Sequence, residues 1–187
     1  MELSRAQLNQ IRSKWAPRPS DVVPEPVGDG EESVWDYPRP PAVRREDREI
    51  CIRFAGVEIA RTTAALKVME TAGAPVYYLP TQDVQMQYLH PSGRSSFCEW
   101  KGEAQYYDLN AGATVSRHAV FAYPHPLDDL GMGYSQFAGH MSFYADRVDE
   151  AIIGGERARP QPGGLYSGWI TSWIKGPVKG VPGTGHW

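Results

Sequence analysis

A chain of 187 residues with 41% hydrophobic and 11% aromatic content is long enough for one core with extensions and too short for two sizeable domains. A net charge of −3 provides no global basic field for nucleic acid or an anionic membrane, and no apolar run approaches the roughly 20 residues that span a bilayer. Two cysteines, Cys51 and Cys98, are too few for a disulfide scaffold, and Met1-Glu2-Leu3-Ser4-Arg5 has no apolar export core, so a reducing, cytoplasmic setting is expected.

Apolar Leu3, Leu8, Ile11 and Trp15 predict a short amphipathic helix over residues 3–15, N-capped by Ser4 and stopped by Pro17 and Pro19. Residues 17–41 are rich in Pro, Gly, Asp and Glu and read as an extended linker. Within them, Trp35 and Tyr37 of Ser33-Val34-Trp35-Asp36-Tyr37-Pro38-Arg39-Pro40-Pro41 are expected to pack on the domain in polyproline form. Ile50–Phe54 and Val57–Arg61 alternate around Ala55-Gly56 and predict a hairpin. Residues 64–71 stay open between strand and helical turn, and so do residues 83–89.

Val76–Leu79 is a strand stopped by Pro80, and His90-Pro91-Ser92-Gly93 is expected to be a turn. Further strands are predicted within 97–109 and over 114–123, 141–144 and 150–153, the last ended by Gly154-Gly155. Leu165, Trp169 and Trp173 stand four apart and predict a short helix with one aromatic face. Short strands separated by turns, with no strand–helix alternation, indicate an all-β fold. The expected organisation is an N-terminal helix and Pro-rich arm over 1–47, a β domain over 48–159 and a Gly/Pro/Trp-rich arm over 160–187.

The ordered landmarks Trp35-Asp36-Tyr37-Pro38-Arg39-Pro40-Pro41, Phe54-x-Gly56-x-x-Ile59-Ala60, Glu70 and Tyr77-Tyr78-x-Pro80-x-x-Asp83-Val84 continue through Cys98-x-x-Lys101-Gly102-x-Ala104, Tyr107, Tyr123-Pro124-x-Pro126 and Phe143-Tyr144-x-x-x-Val148-Asp149. With these landmarks, Arg48 to Val148 resembles the domain of unknown function 427 family. Glu99 stands where the family usually has proline, and the tail from Pro160 lies outside the common domain. The resemblance implies a β-tent: two antiparallel sheets leaning together over a cleft, as in methionine sulfoxide reductase B and the ligand-binding domain of cereblon. The family has also carried a nucleotidyltransferase label.

The residues weigh against several chemistries. There is no Cys-x-x-Cys, His-x-His or His-x-x-x-His, so no structural zinc or other cofactor is expected. Gly102 has no upstream glycine at P-loop spacing and no Ser/Thr after Lys101. Asp128-Asp129, the close acid pair in a turn, is more simply a solvated loop or cap than a metal clamp for nucleotidyl transfer.

Lys101 would favour a Cys98 thiolate if a kink near Gly102 brought the two to one side, since i and i+3 on a straight strand face opposite ways. Core packing is the simpler reading of both thiols. A small-molecule cleft near Lys101 is therefore expected, with Glu70, Tyr78, Cys98, Trp100, Lys101, His118 and Arg61 as candidate ligand-binding residues. Lysine and glutamate in core-like strands are expensive unless paired, so a Glu70–Lys101 ion pair is expected, structural or functional. The sequence leaves open whether the protein is an enzyme. Trp35, Tyr37, Trp169, Trp173 and Trp187 in the arms must cover this chain, a second copy in a homodimer, or another protein.

Overall fold

The computed structural model describes residues 3–15 and 18–187. Pro17, expected to stop the first helix, lies outside them. Ser4 caps α1 (Arg5–Arg12): its hydroxyl accepts from the Gln7 N–H and the Gln7 side chain accepts from the Ser4 N–H, satisfying two donors that a helix start leaves bare.

A two-residue strand, β1 (Glu32–Ser33), precedes β2 (Ala42–Glu46) and the hairpin of β3 (Ile50–Phe54) and β4 (Val57–Thr62). Ala55 and Gly56 both take positive φ, 50° and 78°, as a tight hairpin turn demands. The segment at 64–71 becomes β5 (Ala65–Met69), because β2 pairs along one side of it and β6 (Val76–Pro80) along the other. Tertiary pairing outweighs its helix-forming composition. Two 3-10 turns, Thr81–Asp83 and Met86–Tyr88, occupy residues 83–89 in the main.

The turn expected at 90–93 is instead part of β7 (Leu89–Cys98), the outermost strand of its sheet. An edge tolerates Pro91 because one row of its backbone groups faces solvent, and a register shift between Pro91 and Ser95 absorbs the irregular residues. Then follow β8 (Gly102–Ala111), β9 (Thr114–Ala122), β10 (His140–Phe143), β11 (Glu150–Ile153), β12 (Glu156–Arg157), β13 (Arg159–Pro160), β14 (Trp169–Ile170) and β15 (Ile174–Lys175).

Seven strands in the order β2-β5-β6-β10-β9-β8-β7 form one antiparallel sheet, and β12-β11-β3-β4 form a second. The fold is all-β. Ile50, Ile52, Ile59 and Ile153 of the smaller sheet pack against Tyr77, Leu79, Val120 and Phe143 of the larger one. That core fills the space between the sheets, where the β-tent resemblance implied a cleft.

The aromatic helix expected over 165–173 does not form. Within the run Gly168 packs against Ala74, where a Cβ would lie 2.6 Å from the Ala74 oxygen, and the backbone bonds outward, Gln161 N–H donating to the Gly168 carbonyl and Trp169 N–H to the Pro75 carbonyl. Trp169 instead lies in β14, paired with Pro160, and its indole is fully buried between the sheets, donating to the Phe143 carbonyl at 2.9 Å. Leu165 is exposed.

The two arms also meet each other. β1 and β15 pair in parallel, Trp35 and Trp187 pack edge to face at 5.4 Å, and buried Lys67 donates to Glu32 at 2.7 Å. Among the described residues no helix is long and apolar enough to cross a membrane.

Candidate functional site

Alternation along the larger sheet leaves a second face, turned away from the smaller sheet. Tyr77 and Leu79 enter the inter-sheet core, so Val76 and Tyr78 point the other way. On β9 the same rule sends Val120 and Ala122 inward and Phe121 outward, with Tyr123 following just past the strand. The outward side chains are largely aromatic and form their own cluster, in which Tyr78 stacks on Phe137 at 4.5 Å.

The β7–β8 connection closes over this face. Gly102 takes φ 88°, a conformation that suits glycine, and an added Cβ would stand 3.2 Å from Leu127. Leu127 donates its N–H to the Lys101 carbonyl at 2.9 Å, which ties the turn to the 124–127 segment. This is the kink that carries Lys101 to the same side as Cys98. Lys101 is 9% exposed.

Glu70, Tyr78, Cys98 and Lys101 line one cavity of about 290 Å³, together with Tyr123 and Tyr144. Further wall comes from Gln161, Tyr166 and Lys179 in the C-terminal segment. The Lys101 ammonium lies 5.9 Å from the centre of the Tyr123 ring, and among the described residues no carboxylate comes within 4.0 Å of it. Burial disfavours its charge, but Cys98 and Tyr78 in their ionised forms and the Glu70 carboxylate outweigh burial and raise its pKa, so it stays an ammonium. Burial also raises the Tyr78 and Tyr123 hydroxyls above the ordinary phenol range, leaving both as neutral groups.

The expected Glu70–Lys101 ion pair is replaced by a different one. Glu70 lies just after β5, where its Oε1 is 3.3 Å from Lys179 Nζ and 3.4 Å from Arg39 Nε. Burial pushes its carboxyl up, yet Lys179, Lys101 and Arg39 together hold it below the ordinary range. Lys101 therefore acts on Glu70 at longer range, and its own donors stay uncommitted. Trp15 covers this corner: its ring lies 4.2 Å from the Arg39 guanidinium and 5.3 Å from the Lys179 ammonium, and its indole donates to Glu99 at 2.7 Å.

Three candidates fall outside the cavity wall. Trp100 is buried behind the turn, with Arg12 5.3 Å over its ring. His118 sits at a bulge of β9 with φ 52°, its N–H donating to Asp108 at 2.8 Å. Arg61 lies on the smaller sheet, paired with Glu58 at 2.6 Å. Cys51 is buried on β3, away from Cys98. Arg39, Tyr123 and Tyr144 belong to the motifs that carry the family resemblance, which was the signal for them; Lys179 had none. Among the described residues no three His, Cys, Asp or Glu side chains gather to hold a metal ion.

The family model described as "Domain of unknown function (DUF427)" matches residues 42–154. The chain belongs to the DUF427 family. No curated protein matches it. The DUF427 region contributes Glu70, Tyr78, Cys98, Lys101, Tyr123 and Tyr144 to the cavity, while Tyr166 and Lys179 come from beyond its end.

Proposed function

We propose that this protein binds a small molecule in the cavity on the outer face of the larger sheet, with Lys101 as the polar anchor. The observation that supports the reading is the Lys101 ammonium, buried at the cavity wall with no carboxylate partner among the described residues. Such a group is costly to keep in a fold for packing alone. The cavity is at the small end of ligand sites, and its walls combine apolar rings with a few polar groups. The reading of the arms as a dimer or partner surface has less to draw on, because Trp35, Tyr37 and Trp169 are buried within this chain.

A thermal-shift screen of metabolites and nucleotides on the wild type and on Lys101→Ala tests the proposal. A ligand present at about 100 times its Kd stabilises the native state by about 2.7 kcal/mol, a shift that the variant should lose. A ligand whose shift survives in Lys101→Ala removes Lys101 as anchor. A screen silent on a folded wild type removes the cavity as a binding site.

A further inference from the structure

The cavity is unbalanced in two respects. Two of its polar groups are uncommitted: Lys101 brings three N–H groups and Tyr78 a hydroxyl with no hydrogen-bond partner among the described residues, whereas Glu70 is already engaged by Arg39 and Lys179. Its charge is also uneven. Lys101 and Lys179 share the wall with Glu70 and Glu99, but Glu70 is taken by Lys179 and, from behind the wall, by Arg39, which leaves Lys101 with no carboxylate within 4.0 Å among the described residues. Uncommitted donors and one unpaired ammonium are completed by an acceptor-rich group carrying one negative charge.

Around that position the wall is aromatic, with Tyr78, Tyr106, Phe121, Tyr123, Tyr144 and Tyr166 all contributing. Rings offer flat faces and edges to a flat ligand. They would equally suit a cation, but a cation would meet the Lys101 ammonium. A volume of about 290 Å³ corresponds to on the order of ten waters, room for one ring and its substituents.

We infer that the occupant is a small planar molecule with one net negative charge, a monocarboxylate in its simplest form, with the anion on Lys101 and the ring among the tyrosines. This rests on the cavity being a binding site. A phosphate monoester fits less well, because its second charge would be left without a counter-charge in a partly desolvated site.

Cys98 lines the cavity and is partly exposed, whereas Cys51 is buried elsewhere, so alkylation by iodoacetamide, read by peptide mass spectrometry, reports occupancy at Cys98. Benzoate, benzamide, benzylamine and phenyl phosphate serve as the probes. Benzoate should slow Cys98 alkylation at concentrations about ten-fold below those at which benzamide does, the difference that one hydrogen-bonded charge makes. Benzylamine should not protect, and phenyl phosphate should protect less than benzoate.

Lys101→Met should lose the preference for benzoate while Lys101→Arg keeps it, and continued resistance of Cys51 shows that each variant is folded. Benzamide matching benzoate, protection by benzylamine, or an unchanged preference in Lys101→Met overturns the inference. Stronger protection by phenyl phosphate overturns its single-charge part. If none of the four protects, the inference fails, while the wider binding proposal is decided separately by the metabolite screen.

Discussion

Glu70 is the residue on which the polar corner of the cavity depends, because three cations converge on one partly buried carboxylate. Its folded pKa lies below the unfolded value near 4.5, so its contribution to stability is complete above that pH and is lost as pH falls through the folded value. Glu70→Gln should therefore cost about 2 kcal/mol at pH 7 and progressively less below about pH 4.5, where the wild type gives up the same interaction. Urea unfolding of both proteins across pH 3–7 should show the two stabilities converging in acid; a constant gap would mean that the carboxylate charge is not what matters. At this scale the sequence is partly legible. A lysine in a core-like strand marks itself, and so does a glutamate, but their pairing does not: the cation that meets Glu70 most closely lies 109 residues further on, in a Gly/Pro-rich tail. Arg61 and His118 look equally suitable by residue type, and only strand phase and sheet membership take them elsewhere.

At the scale of elements, α1 shows how a short helix is held by its end and not by its apolar side. It buries only Leu8, while Arg12 donates to both Asp129 oxygens at 2.8 Å and to the Glu99 carbonyl at 2.9 Å. Arg12→Ala should weaken docking of the helix by about 1–2 kcal/mol, since a bidentate charged contact is lost from a largely covered site. Hydrogen exchange should then rise over residues 5–12 and stay unchanged in β8 and β9. Equal protection in variant and wild type would assign the docking to Leu8 alone. Alternation and turn residues make β3, β4, β6, β9 and β11 readable in the sequence itself, because each has one face in an apolar core. The failures have physical causes as well. Pro91 suggests a turn but sits on a sheet edge, and the four-residue spacing of Leu165, Trp169 and Trp173 mimics a helix in a segment whose backbone bonds instead to Gln161 and Pro75.

For the whole molecule, the C-terminal segment belongs to the core. Trp169 packs on Tyr77 at 5.2 Å between the sheets, and its carbonyl-bound indole crosses to β10. Trp169→Ala should lower stability by about 3–5 kcal/mol, as truncating a fully buried aromatic does, with thermal unfolding remaining a single transition. Loss of structure confined to residues 160–187, with the sheets unfolding at the wild-type temperature, would show the segment to be an appendage instead. The architecture is thus more legible than the extent of the unit, because a Gly/Pro-rich composition conceals a segment whose few large side chains go inside. The same segment has another consequence. The proposed anchor Lys101 and the rings beside it come from residues 42–154, but Tyr166 and Lys179 come from the chain that follows. The wall of the cavity is thereby written in two separate stretches of the polypeptide, so that under the proposed function exchanging Tyr166 or Lys179 would reshape one side of it while leaving Lys101 in place.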